Sequence, residues 1–384
     1  MNIFKKETNI KFINKKYYLF AVSSLVILAG ILVFAMRGFR MGIDFSGGTL
    51  VEASFKSRVS INEIRSMLDK VKMGDASITQ ISGENKFFIK VMTVSDKNAG
   101  DETIDDHAVI AKRIKTALIV PEEKSLLAAG KFDLNNNSEG EIAVFLRSKG
   151  MSEEDSNESA RIIINLRKNS TGMIDNFGLL ESTDLKHRVL SVLKESTFLG
   201  RFTVLSVEIV GPQVGKDLRR KAALACIWAL IGMLVYIAFR FKFLYGLSGI
   251  LTLLHDVLIT LSFILFFNVE ISLQVIAAIL TLVGYSINDT IVIFDRLRDN
   301  LLIMRKDNLE TILDKSVNQT LSRTIITSLT VFLTVLALFF FGGEVIHPFA
   351  FTMLVGVITG TYSSIYQSCA WLHVWEKSFM KRKK

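Results

Sequence analysis

One apolar run of this sequence, Leu282-Val283-Gly284-Tyr285-Ser286-Ile287-Asn288-Asp289-Thr290-Ile291-Val292, carries a carboxylate where hydrocarbon side chains surround it. An ionisable group at mid-span costs roughly 3 kcal/mol or more unless it is paired, hydrated or neutralised, so Asp289 is a functional candidate. On a helix, Thr281, Tyr285, Asn288 and Asp289 fall on one stripe. Asp289 stands seven residues before Arg296, about 10 Å of helix at 1.5 Å per residue, hence inside the membrane but nearer one face. Arg323 enters the next apolar run from that same face. An acid beside a movable arginine can act as a proton switch, because pairing holds the acid ionised and separation in a low dielectric lets it take a proton. The alternatives are a static ion pair that locks two helices, or a pair that is interfacial and wet. A second intramembrane acid, Asp256, follows His255, whose ring titrates near neutrality, and relay and structural roles are both open for them.

Glycines mark close contacts and turns. Gly356 and Gly360, followed by Thr361, Ser363 and Ser364, form a small-xxx-small step suited to helix packing, with an ion path as the alternative. Gly42-Ile43-Asp44-Phe45-Ser46-Gly47-Gly48 reads as a tight backbone turn in which Asp44 stabilises the turn, with coordination by Asp44 as the alternative. Gly211-Pro212-Gln213-Val214-Gly215 reads as a similar joint. Phosphate-binding loops, GxGxxG fingerprints, HExxH helices and GxSxG elbows are absent from the sequence. The chain is therefore expected to be no enzyme, with no catalytic residue, metal site or cofactor.

The elements that must position these residues are membrane spans. Half of the 384 residues are hydrophobic, and the mean hydropathy is +0.38. Six runs are long enough for about 30 Å of hydrocarbon: 17–36, 221–239, 244–267, 271–294, 324–341 and 349–372. The net charge of +9 clusters at chain ends and beside spans, which argues for a lipid bilayer and against nucleic acid. Lys5, Lys6, Lys11, Lys15 and Lys16 precede the first span, while Lys377, Lys381, Arg382, Lys383 and Lys384 follow the last. Both termini, 1–16 and 373–384, are thus read as cytoplasmic, together with a loop at 295–323, and the segment 37–220 as extracytoplasmic. Cys226 and Cys369 each lie in an apolar run and read as packing residues.

Within 37–220, Thr49–Phe55 alternates as a strand, and Ser60 with Glu63 caps a helix to Val71. Ser77–Ile81 and Lys86–Val94 form a hairpin around Gly83, and a helix at Thr183–Leu193 leads to a strand at Phe202–Val210. The order βαββαβ predicts a ferredoxin-like α+β domain, interrupted by a polar insertion at 95–175.

Taken together, Gly42–Gly48, Gly211–Gly215, His255-Asp256-Val257, Gly284-Tyr285-Ser286-Ile287-Asn288-Asp289-Thr290, Phe294-Asp295-Arg296, Arg323-Thr324 and Leu354-Val355-Gly356-Val357 through Gly360-Thr361-Tyr362-Ser363-Ser364-Ile365-Tyr366 resemble the SecD/SecF family of protein-export membrane subunits, within the RND superfamily. The resemblance covers both glycine joints and most of the membrane half. It implies a six-helix RND-like half with a periplasmic domain, in the inner membrane of a bacterium. It further implies a SecD subunit as partner, the SecYEG channel beside it, unfolded exported polypeptide as substrate, and proton-motive force as the energy source. At the family's proton-conducting positions stand Asp289 and Arg323; His255, Asp256, Asn288 and Tyr285 are accessory candidates. The polar insertion is longer than the family requires. An RND-like exporter of small molecules or lipids, and a passive membrane scaffold, are the competing readings.

Overall fold

The computed structural model describes residues 8–81, 84–92, 104–170, 172–241 and 243–382. Lys5, Lys6, Gly83, Val94, the first part of the insertion read at 95–175, Lys383 and Lys384 lie outside them. A 3-10 turn, Ile13–Lys15, runs into α1 (Lys16–Arg37), followed by α2 (Ile43–Ser46), β1 (Gly48–Phe55), α3 (Ile61–Asp69), β2 (Ser77–Gln80) and β3 (Lys86–Met92). Next come α4 (Ile104–Leu118), α5 (Pro121–Ala128), β4 (Phe132–Asp133), α6 (Glu139–Ser148), α7 (Glu153–Asn169), α8 (Gly178–Glu181), α9 (His187–Ser196), β5 (Thr197–Phe198) and β6 (Phe202–Val210). The chain closes with α10 (Pro212–Arg240), α11 (Phe243–Phe266), α12 (Leu273–Ile303), α13 (Leu309–Phe341) and α14 (Gly343–Arg382). Two compact units result: residues 43–216, and residues 1–42 with 217–384.

In the first unit an antiparallel sheet has the order β2-β3-β1-β6. Alternation along β1 turns Val51, Ala53 and Phe55 to one face, opposite Ile89 and Phe87 on β3 and Phe202 on β6. The expected hairpin forms, Ser77 pairing with Lys90 and Gln80 with Phe87. Ile64 and Leu68 of α3 and Ile114 and Leu118 of α4 cover that face, all fully buried. The Ser60 hydroxyl accepts the Glu63 amide at 3.2 Å, as expected of the cap. The Glu63 carboxylate instead pairs with Arg201 at 3.3 Å.

This is the ferredoxin-like order, but its second covering helix is α4, not the helix expected at Thr183–Leu193. Apolar spacing at Ile110, Ile114 and Leu118 gives α4 the stripe the sheet needs. The helix near the expected position is α9, and its Val189 and Leu193 join a separate core with Leu134, Ile142, Leu146, Ala160, Ile163, Ile174 and Leu180. The helical lobe therefore does not coincide with the insertion boundaries of 95–175.

Asn135 stitches this lobe to the sheet. Its buried side chain exchanges bonds with the Ile174 backbone, 2.9 Å from the amide and 3.1 Å to the carbonyl, and donates to the Gly200 carbonyl at 2.9 Å. Asp133 accepts the amides of Asn135 and Gly200, and the Thr203 hydroxyl bonds the Asn135 carbonyl at 2.7 Å.

The lobe's helices begin on caps. The Ser138 and Glu141 side chains cap each other's backbone amides at the start of α6. The Ser138 backbone amide, donating to the carboxylate, holds Glu141 below its ordinary value of 4.5. A lowered carboxyl pKa means that the folded state binds fewer protons, so this contribution is full above 4.5 and lost as pH falls through the lowered value. Glu141→Gln is expected to flatten the acid limb of this unit's stability curve below 4.5, read by hydrogen exchange of α6 amides across pH.

In the second unit α14 is the central helix, packed against α11, α12 and α13, while α1 lies on α11. Among the described residues, six helices are long and apolar enough to cross a membrane. Leu25, Leu32, Trp228, Phe239 and Phe341 are exposed, as helices that face hydrocarbon require. One apolar core gathers Phe12, Ile13, Phe241, Tyr245, Phe294, Leu297, Leu313 and Val317; another gathers Ala278, Leu282, Val335, Ala350, Met353 and Val357.

The loop expected at 295–323 is a correction. Helix α12 runs to Ile303 and α13 starts at Leu309, leaving only 304–308 between them. Buried Leu297, Asn300, Ile312, Leu313 and Val317 continue the helical periodicity while the charges point out, and the Asn308 side chain caps α13 through the Thr311 amide at 2.8 Å. The same extension carries Asp314, whose Oδ1 accepts the amides of Phe12 and Ile13 at 2.9 and 3.0 Å. Asn318 adds a two-way bond to the Ile10 backbone. The 3-10 turn that leads into α1 is thereby capped by a side chain of another helix.

Candidate functional site

Between the two apolar cores of the bundle lies a belt of buried polar side chains. It has two parts. In the first, Asp289 is 3% exposed, and its Oδ2 accepts from the Ser328 hydroxyl of α13 at 3.4 Å. The Tyr285 hydroxyl, close enough to interact with the Asp289 charge, is buried without a partner, as is that of Thr324, one turn before Ser328 on α13. The Tyr285 hydroxyl comes near Ser328 and Thr361 but meets neither at hydrogen-bonding geometry.

Arg323 is exposed, and among the described residues no hydrogen bond or ion pair joins it to Asp289. The static ion pair considered from the sequence is therefore not what this structure holds. The acid is not ion-paired with the arginine: its one hydrogen bond is the long one to Ser328, with the Thr327 hydroxyl and the Arg323 charge nearby. Such a carboxylate is short of donors, and the orphaned Tyr285 hydroxyl near it is a group that a water or an incoming proton carrier would satisfy.

In the second part, Asp256 is fully buried, thirteen residues into the 24-residue α11. Its Oδ1 meets His255 Nδ1 at 2.9 Å, and its Oδ2 accepts from Ser286 of α12 at 2.5 Å and Ser363 of α14 at 2.8 Å. His255 Nε2 lies 2.9 Å from Gln367 Nε2, which reaches Ser23 of α1 at 2.8 Å. Ser23 stands 3.3 Å from the Tyr362 hydroxyl, which in turn donates to the Leu19 carbonyl at 3.3 Å. Asp256 is thus saturated where Asp289 is starved.

The other expected residues take different places. Asn288 and Gly284 face an open groove of about 410 Å³ beside Gly232, Met233 and Tyr236, away from Asp289's buried side. Gly356 and Gly360 sit where α14 meets α12: a Cβ at Gly360 would lie 3.2 Å from Ser286 Cβ and 3.7 Å from Asp256 Oδ2. Packing at that step is what lets Ser286 and Ser363 reach Asp256.

In the glycine joints, Gly47 has φ +75° and leaves a Cβ only 3.0 Å from Pro212, while Gly215 packs on Phe45 and Gly47. Gly211 has open space around it. Asp44 occupies the first turn of α2, and Gly48, with φ +151°, starts β1. In the membrane unit the Gly42 amide bonds the Ile271 carbonyl at 2.8 Å, beside an Arg40–Glu270 ion pair at 2.8 Å.

Ser23, Gln367 and Ser328 were not singled out by the sequence. Each is a polar residue in an apolar run, but which helix each faces is set by tertiary packing.

A family model described as "Protein export membrane protein SecD/SecF, C-terminal" matches residues 190–378, and one described as "SecD/SecF GG Motif" matches residues 32–57. The protein translocase subunit SecF of Koribacter versatilis is 38% identical over 95% of this chain and 91% of its own length. That of Calditerrivibrio nitroreducens is 34% identical over 95% and 93%. The crystal structure of SecDF, a translocon-associated membrane protein from Thermus thermophilus, is similar at a TM-score of 0.67 and 28% identity. The match covers 98% of this chain but only 40% of that one. A second SecDF crystal structure, in a super-membrane-facing form, matches at 0.58. This chain is accordingly a multi-pass membrane protein and an accessory subunit of protein translocation, and it belongs to the SecD/SecF family on the SecF side.

Proposed function

We propose that the chain uses the proton-motive force of a bacterial inner membrane to promote late steps of polypeptide translocation. Its partners are a SecD subunit, the SecYEG channel, and the unfolded polypeptide that leaves it. The observation that supports this reading is the state of Asp289: a buried carboxylate with one weak bond, near the unpartnered Tyr285 hydroxyl and close to Arg323 without being ion-paired to it. Such an acid can gain and lose a proton without first breaking a strong pair, and the arginine supplies the alternative partner for the ionised form. His255, Asp256, Tyr285 and Asn288 are accessory groups on the same reading. The basic flanks support a reading with both termini in the cytoplasm and the segment 37–220 in the periplasm.

The test is export by the chain reconstituted with its SecD partner and the channel, with and without an imposed proton gradient. In Asp289→Asn, checked for equal assembly, the gradient-driven increment of export is expected to fall about 10²-fold, the scale on which loss of a positioned proton-transfer group acts. An unchanged increment overturns the proton reading and puts a passive scaffold in its place.

A further inference from the structure

We propose that His255 and Asp256 form a second proton-binding site, distinct from Asp289, and that Gln367 reports its occupancy to α1 by turning over its side-chain amide.

The bond directions carry this. Gln367 presents the same atom, Nε2, to both His255 Nε2 and Ser23 Oγ. Both orientations of that amide fit these positions: with the oxygen at this end it only accepts and His255 Nε2 must carry a proton, and with the nitrogen there it only donates and His255 Nε2 is a bare acceptor. In the second orientation the ring's proton sits on Nδ1 and is donated to Asp256 Oδ1 at 2.9 Å. Asp256 accepts from the imidazole and from the hydroxyls of Ser286 and Ser363, the donor set of an ionised carboxylate. Ser23, having accepted from the amide, turns its own proton to Tyr362, whose hydroxyl donates to the Leu19 carbonyl. Every donor from Asp256 to Leu19 has an acceptor, and the His255–Asp256 pair holds one proton.

Adding one proton has a single consistent outcome. Nε2 becomes N–H and faces a donor, so the amide must turn to present its oxygen. The same turn puts that oxygen against Ser23, which must then donate to Gln367 and withdraw its proton from Tyr362. One amide rotation reverses the polarity of the His255–Gln367 and Gln367–Ser23 bonds, with no helix displaced. Because an amide does not pass protons readily, Gln367 transmits the state of the site without leaking its proton. Helix α1 is the receiver, and it is followed directly in the chain by residues 43–216.

The groups facing His255 are few. From its own helix comes Asp256; from α14 come Tyr362, its ring 6.2 Å away, and Gln367; α12 offers Ser286 to Asp256; and α1 offers Ser23. Asp289 bonds Ser328 of α13 and takes no part in the chain of bonds. The inference therefore does not rest on the role given to Asp289.

The test is nitrogen-15 and carbon-13 NMR of the full chain in lipid nanodiscs, with His255, Gln367 and Tyr362 assigned through His255→Asn, Gln367→Met and Tyr362→Phe. At the alkaline end of the series the neutral Nδ1–H tautomer of His255 is expected. On acidification both ring nitrogens should become protonated. The Gln367 amide and the Tyr362 ring carbon bearing the hydroxyl should shift with the same midpoint. In Gln367→Met the histidine should still titrate while Tyr362 no longer follows. An Nε2–H tautomer at high pH overturns the proposal, as does a His255 titration that leaves the Gln367 signals unmoved, or the absence of any His255 titration over the pH range in which the protein stays folded. Asp289→Asn should leave all of these signals in place, which separates failure here from failure of the export mechanism.

Discussion

Asp256→Leu is expected to destabilise the membrane bundle by about 3 to 5 kcal/mol, the range for removing one partner of a buried ionic network. Leucine has as many side-chain heavy atoms as aspartate, branched in the same way, and is the larger of the two, so a cavity is not the cause. The cost comes from what is left behind: the His255 Nδ1–H, pointing at 2.9 Å toward an acceptor that no longer exists, and the Ser286 hydroxyl, which loses its 2.5 Å bond. Ser363 suffers less, because its hydroxyl also reaches the Gly360 carbonyl at 3.1 Å. Each orphaned buried donor costs about 1 to 3 kcal/mol. Asp256→Asn keeps an acceptor oxygen for one of these donors and should lose roughly half as much. Reversible unfolding in mixed micelles, compared among wild type, Asn and Leu, gives the order. If Leu unfolds within about 1 kcal/mol of wild type, the network is not a stabilising element.

Asn135→Ala is expected to cost about 3 to 4 kcal/mol and to loosen the helical lobe from the sheet of the α+β unit. Three side-chain bonds vanish together: the amide and carbonyl of Ile174 lose their partners, and so does the Gly200 carbonyl. The site is fully buried and water cannot replace them without opening it. Hydrogen exchange is the measurement. The amide of Ile174 and those around Gly200 should lose protection, while the amides of β1 and β3, which rest on the other core, should keep theirs. Uniform loss across both cores would mean that the lobe and the sheet unfold as one body.

The sequence announced the membrane helices because hydrocarbon demands long apolar runs, and it announced the ferredoxin-like strand order through alternation and the Ser60 cap. It misplaced the second covering helix because Thr183–Leu193 and the region around Ala108–Leu118 both carry apolar residues at helical spacing, and only contact with Phe87, Ile89 and Phe202 tells which one lies on the sheet. It read 295–323 as a loop because charge density there resembles a loop, although Leu297, Ile312, Leu313 and Val317 already marked a buried stripe. Asp289 and Asp256 were both legible as buried acids. Their opposite situations were not, since one saturated and one starved carboxylate differ only in which serines the neighbouring helices bring up.

The cap that Asp314 places on the turn leading into α1 fixes an order of assembly. Phe12 and Asp314 are separated by 302 positions. At the usual 5 to 20 residues per second of synthesis, roughly 15 to 60 s pass between the making of the two partners. Throughout that interval the first helix has its amino end unanchored, and it is free to tilt or slide in the bilayer. The turn at Ile10–Ile13 closes only when the fifth apolar helix has been delivered, so the earliest segment to enter the membrane is among the last to be locked in it.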